Sequence, residues 1–350
     1  MSGAVGAETR ETGGGGRPDT AGRAPNQGGS QMSHRSGRGG RRAPALLMGC
    51  LVVLGAVLAG CGGGGSSGGL NAVAGVGAAT TGKIAFQSDR DGDYDYEIFV
   101  MNADGTGQKQ LTHNTAWDQR PAWSPDGQKI AFDSDRDGDA EIFMMNADGT
   151  GPKQLTHNTA WDFGPSWSPD GQKIAFASTR DGDGEIFVMN ANGTGQKQLT
   201  HNRAYDADPS WSPDGRKIAF TSGLYGQWEI FLMNADGTGQ NQLTHNPAMD
   251  EFPSWSPGGQ KIAFDSNRDG DYEVFVMNAD GTGQKQLTHN TDSWDLDVAP
   301  SWSPGGQKIA FQSNRTGDYE IFVMNADGTG QKQLTHNTAS DANPAWRPVP

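Results

Sequence analysis

The residues from Lys83 onward form one unit that is repeated six times, and this repeat constrains the fold more than any other feature. The tetrapeptide Lys-Ile-Ala-Phe starts, 44 to 47 residues apart, at Lys83, Lys129, Lys173, Lys217, Lys261 and Lys308. A Thr-His-Asn tripeptide and a tryptophan before a proline-containing turn recur with the same period. A period near 44 residues in an all-β pattern is typical of propeller blades with four strands each.

The second unit shows the strand pattern within one blade. Segments separated by turn residues are predicted as strands a, b, c and d, at 121–124, 128–134, 140–146 and 152–156. Ile142 and Phe143 are adjacent and both apolar, so strand c lacks in-and-out alternation. This pattern favours sheets that are covered on both faces, as in stacked blades.

The ends of the repeat predict how the ring closes. The repeat begins with a strand b at Lys83 and ends after a strand a at 344–346, so the last strand a is expected to complete the first blade. Joining both ends in one sheet removes an open edge. The predicted fold class is therefore all-β, a six-bladed β-propeller at 83–347 with a short tail at 348–350. A solenoid is the alternative, but it requires capping repeats that the sequence does not show.

The residues before the repeat differ in composition, because they hold 24 of the 52 glycines and no tryptophan. Residues 1–31 are predicted to be disordered or to precede the true start of the protein at Met32. Residues 32–60 have the order of a signal peptide, in which a basic segment at 35–42 precedes an apolar segment at 45–58.

The apolar segment ends in Leu-Ala-Gly-Cys at 58–61. This sequence resembles the lipobox of bacterial lipoproteins, in which the cysteine is lipidated and becomes the mature N-terminus. The resemblance implies a lipid on Cys61, a membrane attachment through that lipid, and a fold outside the cytoplasm. Residues 61–82 then form a Gly-rich tether. The alternative is an uncleaved membrane anchor in which Cys61 has no role.

The composition excludes several classes of protein. The chain has 41 acidic and 27 basic residues, and the 61–350 portion alone has 38 acidic and 20 basic ones, which argues against nucleic-acid binding. Two cysteines cannot build a disulfide scaffold. The glycines follow no three-residue period, so the chain is not a collagen.

The repeated unit W-S-P-D-G-x-K-I-A-F-x-S-x-R-D-G-D-x-E-I-F-V-M-N resembles the TolB-type β-propeller repeat. The resemblance covers 83–347 and implies a six-bladed propeller. The same repeat occurs in the propellers of prolyl-oligopeptidase-like enzymes, but residues 83–350 contain no G-x-S-x-G sequence that would supply a nucleophile. A non-catalytic role is therefore expected.

The loops divide into a uniform face and a variable one. Because successive strands are antiparallel, the a–b and c–d turns share one face, and the b–c loops and d-to-a crossovers share the other. The second face varies between copies, so it is the predicted ligand face. Its candidate residues are Asp118, Asp162, Asp206, Asp250, Asp295 and Asp341, with Trp117, Trp161, Tyr205, Trp294, Tyr225 and Trp228. The alternative is drift in exposed loops.

The six crossover aspartates are expected near the channel, where they would favour a cation such as Ca²⁺ or a basic partner. The alternative is that each one caps its own turn. The Asp-Arg-Asp-Gly-Asp loops lack EF-hand spacing and are predicted as hairpin turns with Arg–Asp pairs. The six histidines, one per blade, lie too far apart for a shared metal and are expected to make blade-to-blade hydrogen bonds.

The sequence thus predicts a lipid-anchored, extracytoplasmic, monomeric module that binds an envelope protein or a glycan and has no cofactor, with a Ca²⁺ ion at the channel as the alternative. One alternative is a metal-dependent enzyme of the lactonase type. It would need a non-equivalent cluster of polar residues on the axis, which the sixfold sameness argues against. Another alternative is a sensor ectodomain.

Overall fold

A computed structural model describes residues 82–92, 95–224, 227–290 and 294–349. In these residues it contains twenty-four β-strands and no α-helix. The predicted start segment, signal peptide, lipidation site Cys61 and most of the tether lie outside the described residues.

The strands fall into six sets along the chain. The first comprises β1 (Lys83–Ser88), β2 (Glu97–Asn102) and β3 (Lys109–Gln110). The second comprises β4 (Asp118–Trp123), β5 (Lys129–Ser134), β6 (Glu141–Asn146) and β7 (Lys153–Gln154). The third comprises β8 (Asp162–Trp167), β9 (Lys173–Ser178), β10 (Glu185–Asn190) and β11 (Lys197–Gln198).

The remaining sets follow the same plan. The fourth comprises β12 (Tyr205–Trp211), β13 (Lys217–Leu224), β14 (Gln227–Asn234) and β15 (Asn241–Gln242). The fifth comprises β16 (Asp250–Trp255), β17 (Lys261–Ser266), β18 (Glu273–Asn278) and β19 (Lys285–Gln286). The last comprises β20 (Asp297–Trp302), β21 (Lys308–Ser313), β22 (Glu320–Asn325), β23 (Lys332–Gln333) and β24 (Asp341–Trp346).

Each blade is a four-stranded antiparallel sheet in the order a, b, c, d, and the first blade has the order β24-β1-β2-β3. The predicted ring closure is confirmed, because β24 from the C-terminal end is strand a of the first blade. The six a strands contact one another in turn, β4 with β8, β8 with β12, and so on until β24 meets β4. They therefore surround the central axis.

The core lies between blades. Strand b is buried on both faces, and its fully buried phenylalanines are Phe86, Phe132, Phe176, Phe220, Phe264 and Phe311. Each pairs with a phenylalanine of strand c at a ring-centroid distance of 5.7 to 5.9 Å. Ala85 and Ile98 of the first blade pack with Ile130 and Phe132 of the second. Burying one such phenylalanine contributes about 1.5–3 kcal/mol to stability. Neighbouring blades cover both faces of each sheet, which explains why the strands lack alternation of apolar and polar residues.

The ends of two strands differ from the prediction. Strand d of the second blade has two residues, Lys153–Gln154, where five were predicted. The N–H of Leu155 still donates to the Ile142 carbonyl (2.7 Å), but the Ile142 N–H donates to the Thr156 hydroxyl (2.8 Å). A side-chain oxygen thus replaces the next ladder carbonyl and ends the strand. Strand a begins three residues earlier than predicted, at Asp118.

Candidate functional site at the channel mouth

The crossover aspartate opens strand a and is bound by an arginine of the b–c loop. In the second blade, Arg136 Nη2 lies 2.9 Å from both carboxylate oxygens of fully buried Asp118. Asn114 Nδ2 donates to Asp118 Oδ2 (2.7 Å). The Arg136 guanidinium also stacks 4.5 Å from the Phe143 ring centroid. The same pairs recur as Arg90–Asp341, Arg180–Asp162, Arg268–Asp250 and Arg315–Asp297.

These pairs change two predictions. The predicted Arg–Asp pairing within the loops is wrong, because the arginine binds the crossover aspartate instead. The assignment of Asp295 is also wrong, since Asp297 begins β20 and binds Arg315. The crossover into the last blade is three residues longer, and its Trp-Asp pair, Trp294-Asp295, lies two residues before the true position. In these five blades the buried carboxylate has an internal counter-ion, so it does not face the channel as a free charge.

The histidines do not make the blade-to-blade hydrogen bonds predicted for them within the described part of the chain. They are exposed. The threonine before each one is buried, and its hydroxyl accepts a strand c N–H, as Thr112 accepts from Ile98 (2.8 Å).

A β-bulge in strand a places one residue per blade at the channel. The register of β4 with β5 shifts between Gln119 and Ala122, and Arg120 has a φ of 49°. Positive φ is uncommon outside glycine, so the conformation is a structural feature of the position. The bulge ring, as we call these six residues, consists of Arg120, Gly164, Asp208, Phe252, Ala299 and Asn343. It lies two residues inside the mouth that Asp118 marks.

A second set of channel residues comes from strand b, one position before its final serine. Most of these side chains accept the N–H of the bulge residue in the next blade. Gln87 accepts from Arg120 (3.0 Å), and Asp265 accepts from Ala299 (3.0 Å). The set comprises Gln87, Asp133, Ala177, Thr221, Asp265 and Gln312. It is buried throughout.

The charges in these two sets are unevenly distributed. Arg120 Nη1 lies 3.0 Å from Asp133 Oδ2. A Cβ added to Gly164 would lie 3.8 Å from Asp208 Oδ1 and 3.9 Å from Arg120 Cδ, so these side chains meet over that glycine. Glu251 is the cross-strand partner of Asp265 in the fifth blade. The four acidic side chains and the one basic side chain therefore lie in the second, fourth and fifth blades, whereas Gln87, Gln312 and Asn343 of the first and last blades are neutral.

Burial perturbs the acidic side chains of this group. Desolvation raises the pKa of Asp208 to about 6, although the Arg120 charge opposes the shift. Desolvation also raises the pKa of Glu251 to about 7, against the hydrogen bond from the Tyr272 hydroxyl (2.9 Å). The pKa of Asp265 is raised well above its usual value by burial and by the Glu251 charge. The site therefore gains negative charge as the pH rises through neutrality.

Aromatic side chains stand at the rim of the same mouth. Trp117, Trp161 and Trp294 have exposed fractions of 41, 37 and 71 %. Tyr205 and Trp228 are half-buried and pack edge to face, with ring centroids 5.7 Å apart. Tyr225 lies outside the described residues. The predicted ligand face thus carries exposed aromatic surface beside an acidic channel, and its role in binding stays a prediction.

The sequence reasoning missed the bulge ring. It noted that the residues after the crossover aspartate differ between copies, but it assigned the site to the aspartate that stays the same. The sixfold sameness that argued against a non-equivalent cluster on the axis does not extend to this position, because Arg120, Asp208 and Glu251 differ from their counterparts in other blades. The variation of this position between the six copies was the signal that could have identified the bulge ring.

Comparisons with known proteins agree with this architecture. The family model described as "TolB beta propeller domain" matches residues 157–227 and 223–295. The model described as "Tricorn protease N-terminal beta propeller domain" matches residues 93–183. Among the described residues, no helix is long and apolar enough to cross a bilayer.

Solved structures give the same result over most of the chain. TolB from Acinetobacter baumannii superposes with a TM-score of 0.71 at 25 % identity, covering 79 % of this chain and 69 % of that one. A putative TolB from Agrobacterium tumefaciens superposes with a TM-score of 0.60 at 22 % identity, covering 73 % and 88 %. Dipeptidyl-peptidase 5 of Porphyromonas gingivalis is 47 % identical over 38 residues, which span 11 % of this chain and 6 % of that protein.

Proposed function

We propose that this chain, which is a TolB-like six-bladed β-propeller, is a non-catalytic binding module of the bacterial cell envelope that holds a basic segment of a protein partner at its channel mouth. The observation that carries the proposal is the acidic group of Asp133, Asp208, Glu251 and Asp265, with Arg120 as its one basic neighbour. A channel of one predominant charge attracts ligands of the opposite sign.

The rim supports the same ligand chemistry. Trp117, Trp161 and Trp294 expose ring faces beside the acidic channel. Lysine and arginine side chains bind over tryptophan rings as well as to carboxylates, so a basic peptide segment satisfies both features. A glycan would also stack on these rings, but it would not use the negative charge. The charge therefore favours a protein partner over a glycan.

The N-terminal segment and the similarity to TolB structures support a location outside the cytoplasm. The lipobox-like sequence at 58–61 supports lipidation at Cys61. A lipid at Cys61 and a flexible tether at 61–82 would hold a monomeric propeller close to a membrane outside the cytoplasm. Metabolic labelling with a radioactive fatty acid tests this part, since Cys61→Ala should abolish the label and Cys50→Ala should not.

A charge-matched pair of variants tests the ligand site. The probe is a fluorescent octalysine peptide, and its anisotropy is measured with the full chain. Asp208→Asn with Glu251→Gln should weaken binding at least tenfold at pH 8 and reduce its salt dependence. Asp148→Asn with Asp236→Asn removes two exposed charges from c–d turns on the opposite face and should change binding less than twofold. Equal loss in both pairs, or none in either, contradicts the proposed face.

A metal-dependent enzyme of the lactonase type is a second candidate, because the axis carries a non-equivalent group of carboxylates. Such an enzyme would bind a divalent ion at Asp208 and Glu251 and would hydrolyse simple lactones. Metal analysis together with a lactone hydrolysis assay separates the two candidates. Hydrolysis that is lost in Asp208→Asn with Glu251→Gln would replace the binding module with the enzyme.

A further inference from the structure

The junction between the third and fourth blades lacks the arginine that the other five junctions have. The fourth blade carries Leu224 at the position that Arg180 holds in the third blade. Leucine has no hydrogen-bond donor or charge in its side chain. The crossover aspartate of this junction, Asp206, is fully buried and has no basic partner among the described residues. One buried carboxylate thus lacks the counter-ion that its five counterparts have.

A second buried carboxylate lies beside it. Asn202 joins the two, because its side-chain amide donates to Asp206 Oδ2 (2.7 Å) and its backbone N–H donates to Glu185 Oε1 (2.7 Å). Asp206 Oδ1 and Glu185 Oε2 are both buried and accept no hydrogen bond from a described residue. The two side chains are within interaction range of each other, and burial raises the pKa of both. Unpaired oxygens of this kind cost free energy unless something satisfies them.

Two further carboxylates, from the b–c loop of the third blade, lie close to Glu185. Asp181, Asp183 and Glu185 each offer one oxygen, and these three oxygens lie within 4.8 Å of one another. Oxygens that share one Ca²⁺ ion at about 2.3–2.6 Å can be at most about 5 Å apart, so this spacing fits a single ion. Asp183 has no hydrogen-bond partner among the described residues, and Asp181 accepts from the side chain of Gln198.

The surrounding backbone fixes the group and shields it. The Asp206 N–H donates to the Gly184 carbonyl (2.7 Å), which holds strand β12 against the loop. The Tyr205 ring lies over Gly184, where an added Cβ would meet ring atoms at 2.8 Å. Blades one, five and six carry tyrosine at the position of Gly184, and the second carries alanine. The glycine thus makes room for a ring that covers the junction.

We propose that a divalent cation of the Ca²⁺ class binds at this junction and takes the place of the missing arginine, with Asp181, Asp183 and Glu185 as ligands, the Asp206 carboxylate beside them and water completing the shell. An all-oxygen donor set of loose geometry suits Ca²⁺ better than Mg²⁺, which demands a near-ideal octahedron, or Zn²⁺, which prefers nitrogen and sulfur. This site uses none of the carboxylates of the acidic channel group and does not depend on the proposed function.

The rival explanation is that Asp206 and Glu185 share a proton and bind no ion. The two explanations differ at pH 8, where a bound ion stabilises the folded chain and a shared proton is lost. They also differ in their response to arginine at position 224. Leu224→Arg should supply the missing counter-ion and exclude the cation, as Arg180 does for Asp162 in the neighbouring junction.

The test uses the full chain at pH 8 with Ca²⁺ as the probe, followed by calorimetric titration and by the midpoint temperature of unfolding. We expect one ion per chain with a Kd of about 10⁻⁴–10⁻³ M and a rise in midpoint of about 3 °C or more at 10 mM Ca²⁺. Tb³⁺ should show luminescence sensitised by the nearby Tyr205 and Trp228.

Three variants decide the outcome. Asp206→Asn should weaken Ca²⁺ binding at least tenfold and raise the midpoint without Ca²⁺, because it removes a buried charge. Leu224→Arg should abolish the Ca²⁺ response. The matched control Asp139→Asn changes the counterpart of Asp183 at an arginine-containing junction and should leave the response intact. No Ca²⁺ response in the unaltered chain, or an unchanged response in Asp206→Asn and Leu224→Arg, overturns the proposal.

Discussion

Ile84 and Trp346 are register partners in one antiparallel sheet, although 261 residues separate them in the chain. The N–H of Arg347 donates to the Lys83 carbonyl (2.8 Å) and extends this pairing. The first blade therefore exists only when the end of the repeat reaches its beginning. Ring closure thus joins the two ends of the repeat, and we expect it to make the unfolding of the six blades cooperative.

Deletion of residues 341–350 should prevent that closure. It leaves the b strand of the first blade as an open edge and exposes the Phe86 core, so we expect a broad, non-cooperative thermal transition and aggregation. The measurement is differential scanning calorimetry. Deletion of Val349 and Pro350 alone is the control, because Val349 is exposed, and it should leave a single sharp transition. A sharp transition in the longer deletion would show that the ring does not need β24.

Arg136→Ala should destabilise the second blade by about 2–4 kcal/mol. It leaves the buried Asp118 carboxylate without a counter-ion. The expected loss of stability is smaller than for a fully buried ion pair, because the arginine is partly exposed to solvent. Urea denaturation measures the change. Arg203→Ala removes an exposed arginine and should cost less than about 0.5 kcal/mol. Comparable losses in both would mean that the pair contributes little.

The stability of the protein should fall between about pH 4.5 and pH 7.5. Burial raises the pKa of Glu97, Glu141, Glu273 and Glu251 to about 7. A raised carboxyl pKa means that the folded chain binds more protons than the unfolded chain in this window, so the free energy of unfolding decreases as the pH rises through it. Midpoint temperatures at constant ionic strength measure the profile.

One substitution isolates a single group in that profile. Glu251→Gln should raise the free energy of unfolding at pH 8 by about 1–2 kcal/mol and change it little at pH 4.5, because only the ionised form is penalised by burial. The Tyr272 hydroxyl can still donate to the amide oxygen. A stabilisation that is equal at both pH values would assign the effect to packing rather than to charge.

Gly258→Asp should stabilise the protein by about 0.5–1 kcal/mol at pH 7. A Cβ at this position meets no atom within 4 Å. The substitution reduces the freedom of the unfolded chain and reproduces the turn of the second blade, where Asp126 Oδ1 accepts from Ser124 and Gln128. Those hydrogen bonds lower the pKa of Asp126, so their part of the gain should disappear as the pH falls below about 4, while the part from the unfolded chain remains.

The matched contrast for this substitution lies in a c–d turn. Gly149 has a φ of +93°, and a Cβ there would lie 2.6 Å from the Leu111 carbonyl oxygen of the preceding blade. Gly149→Ala should therefore destabilise the protein by at least about 1–3 kcal/mol. Thermal unfolding of the two variants side by side should give shifts of opposite sign.

The fold could be predicted from the sequence because the strand pattern of one blade is repeated six times. The order of the strands and the incomplete ends together predicted the ring and the pairing of β24 with β1. The channel could not be read in the same way. The bulge places residues such as Arg120 and Phe252 at positive φ, a conformation that usually indicates glycine. Five of the six bulge residues are not glycine, so no residue type marks the bulge in the sequence.

The error at Asp295 has a simpler origin. The prediction followed the visible Trp-Asp pair, whereas the position is set by the distance to the end of strand a. In every blade the buried aspartate lies five residues before the terminal tryptophan, and counting back from Trp302 gives Asp297. The replacement of the arginine by Leu224 was visible in the sequence. Its consequence could not be predicted, because the aspartate that lacks a counter-ion, Asp206, lies in a different loop.

The bulge in strand a has a consequence for how such a protein can change. The apolar contacts between blades involve residues that the copies share, whereas the bulge residue meets the neighbouring blade through its backbone N–H, which does not depend on its side chain. Duplication of a blade therefore copies a complete scaffold and adds one position that is free to diverge. Six such positions, altered one at a time, allow a lineage or a protein engineer to retune recognition without rebuilding the ring.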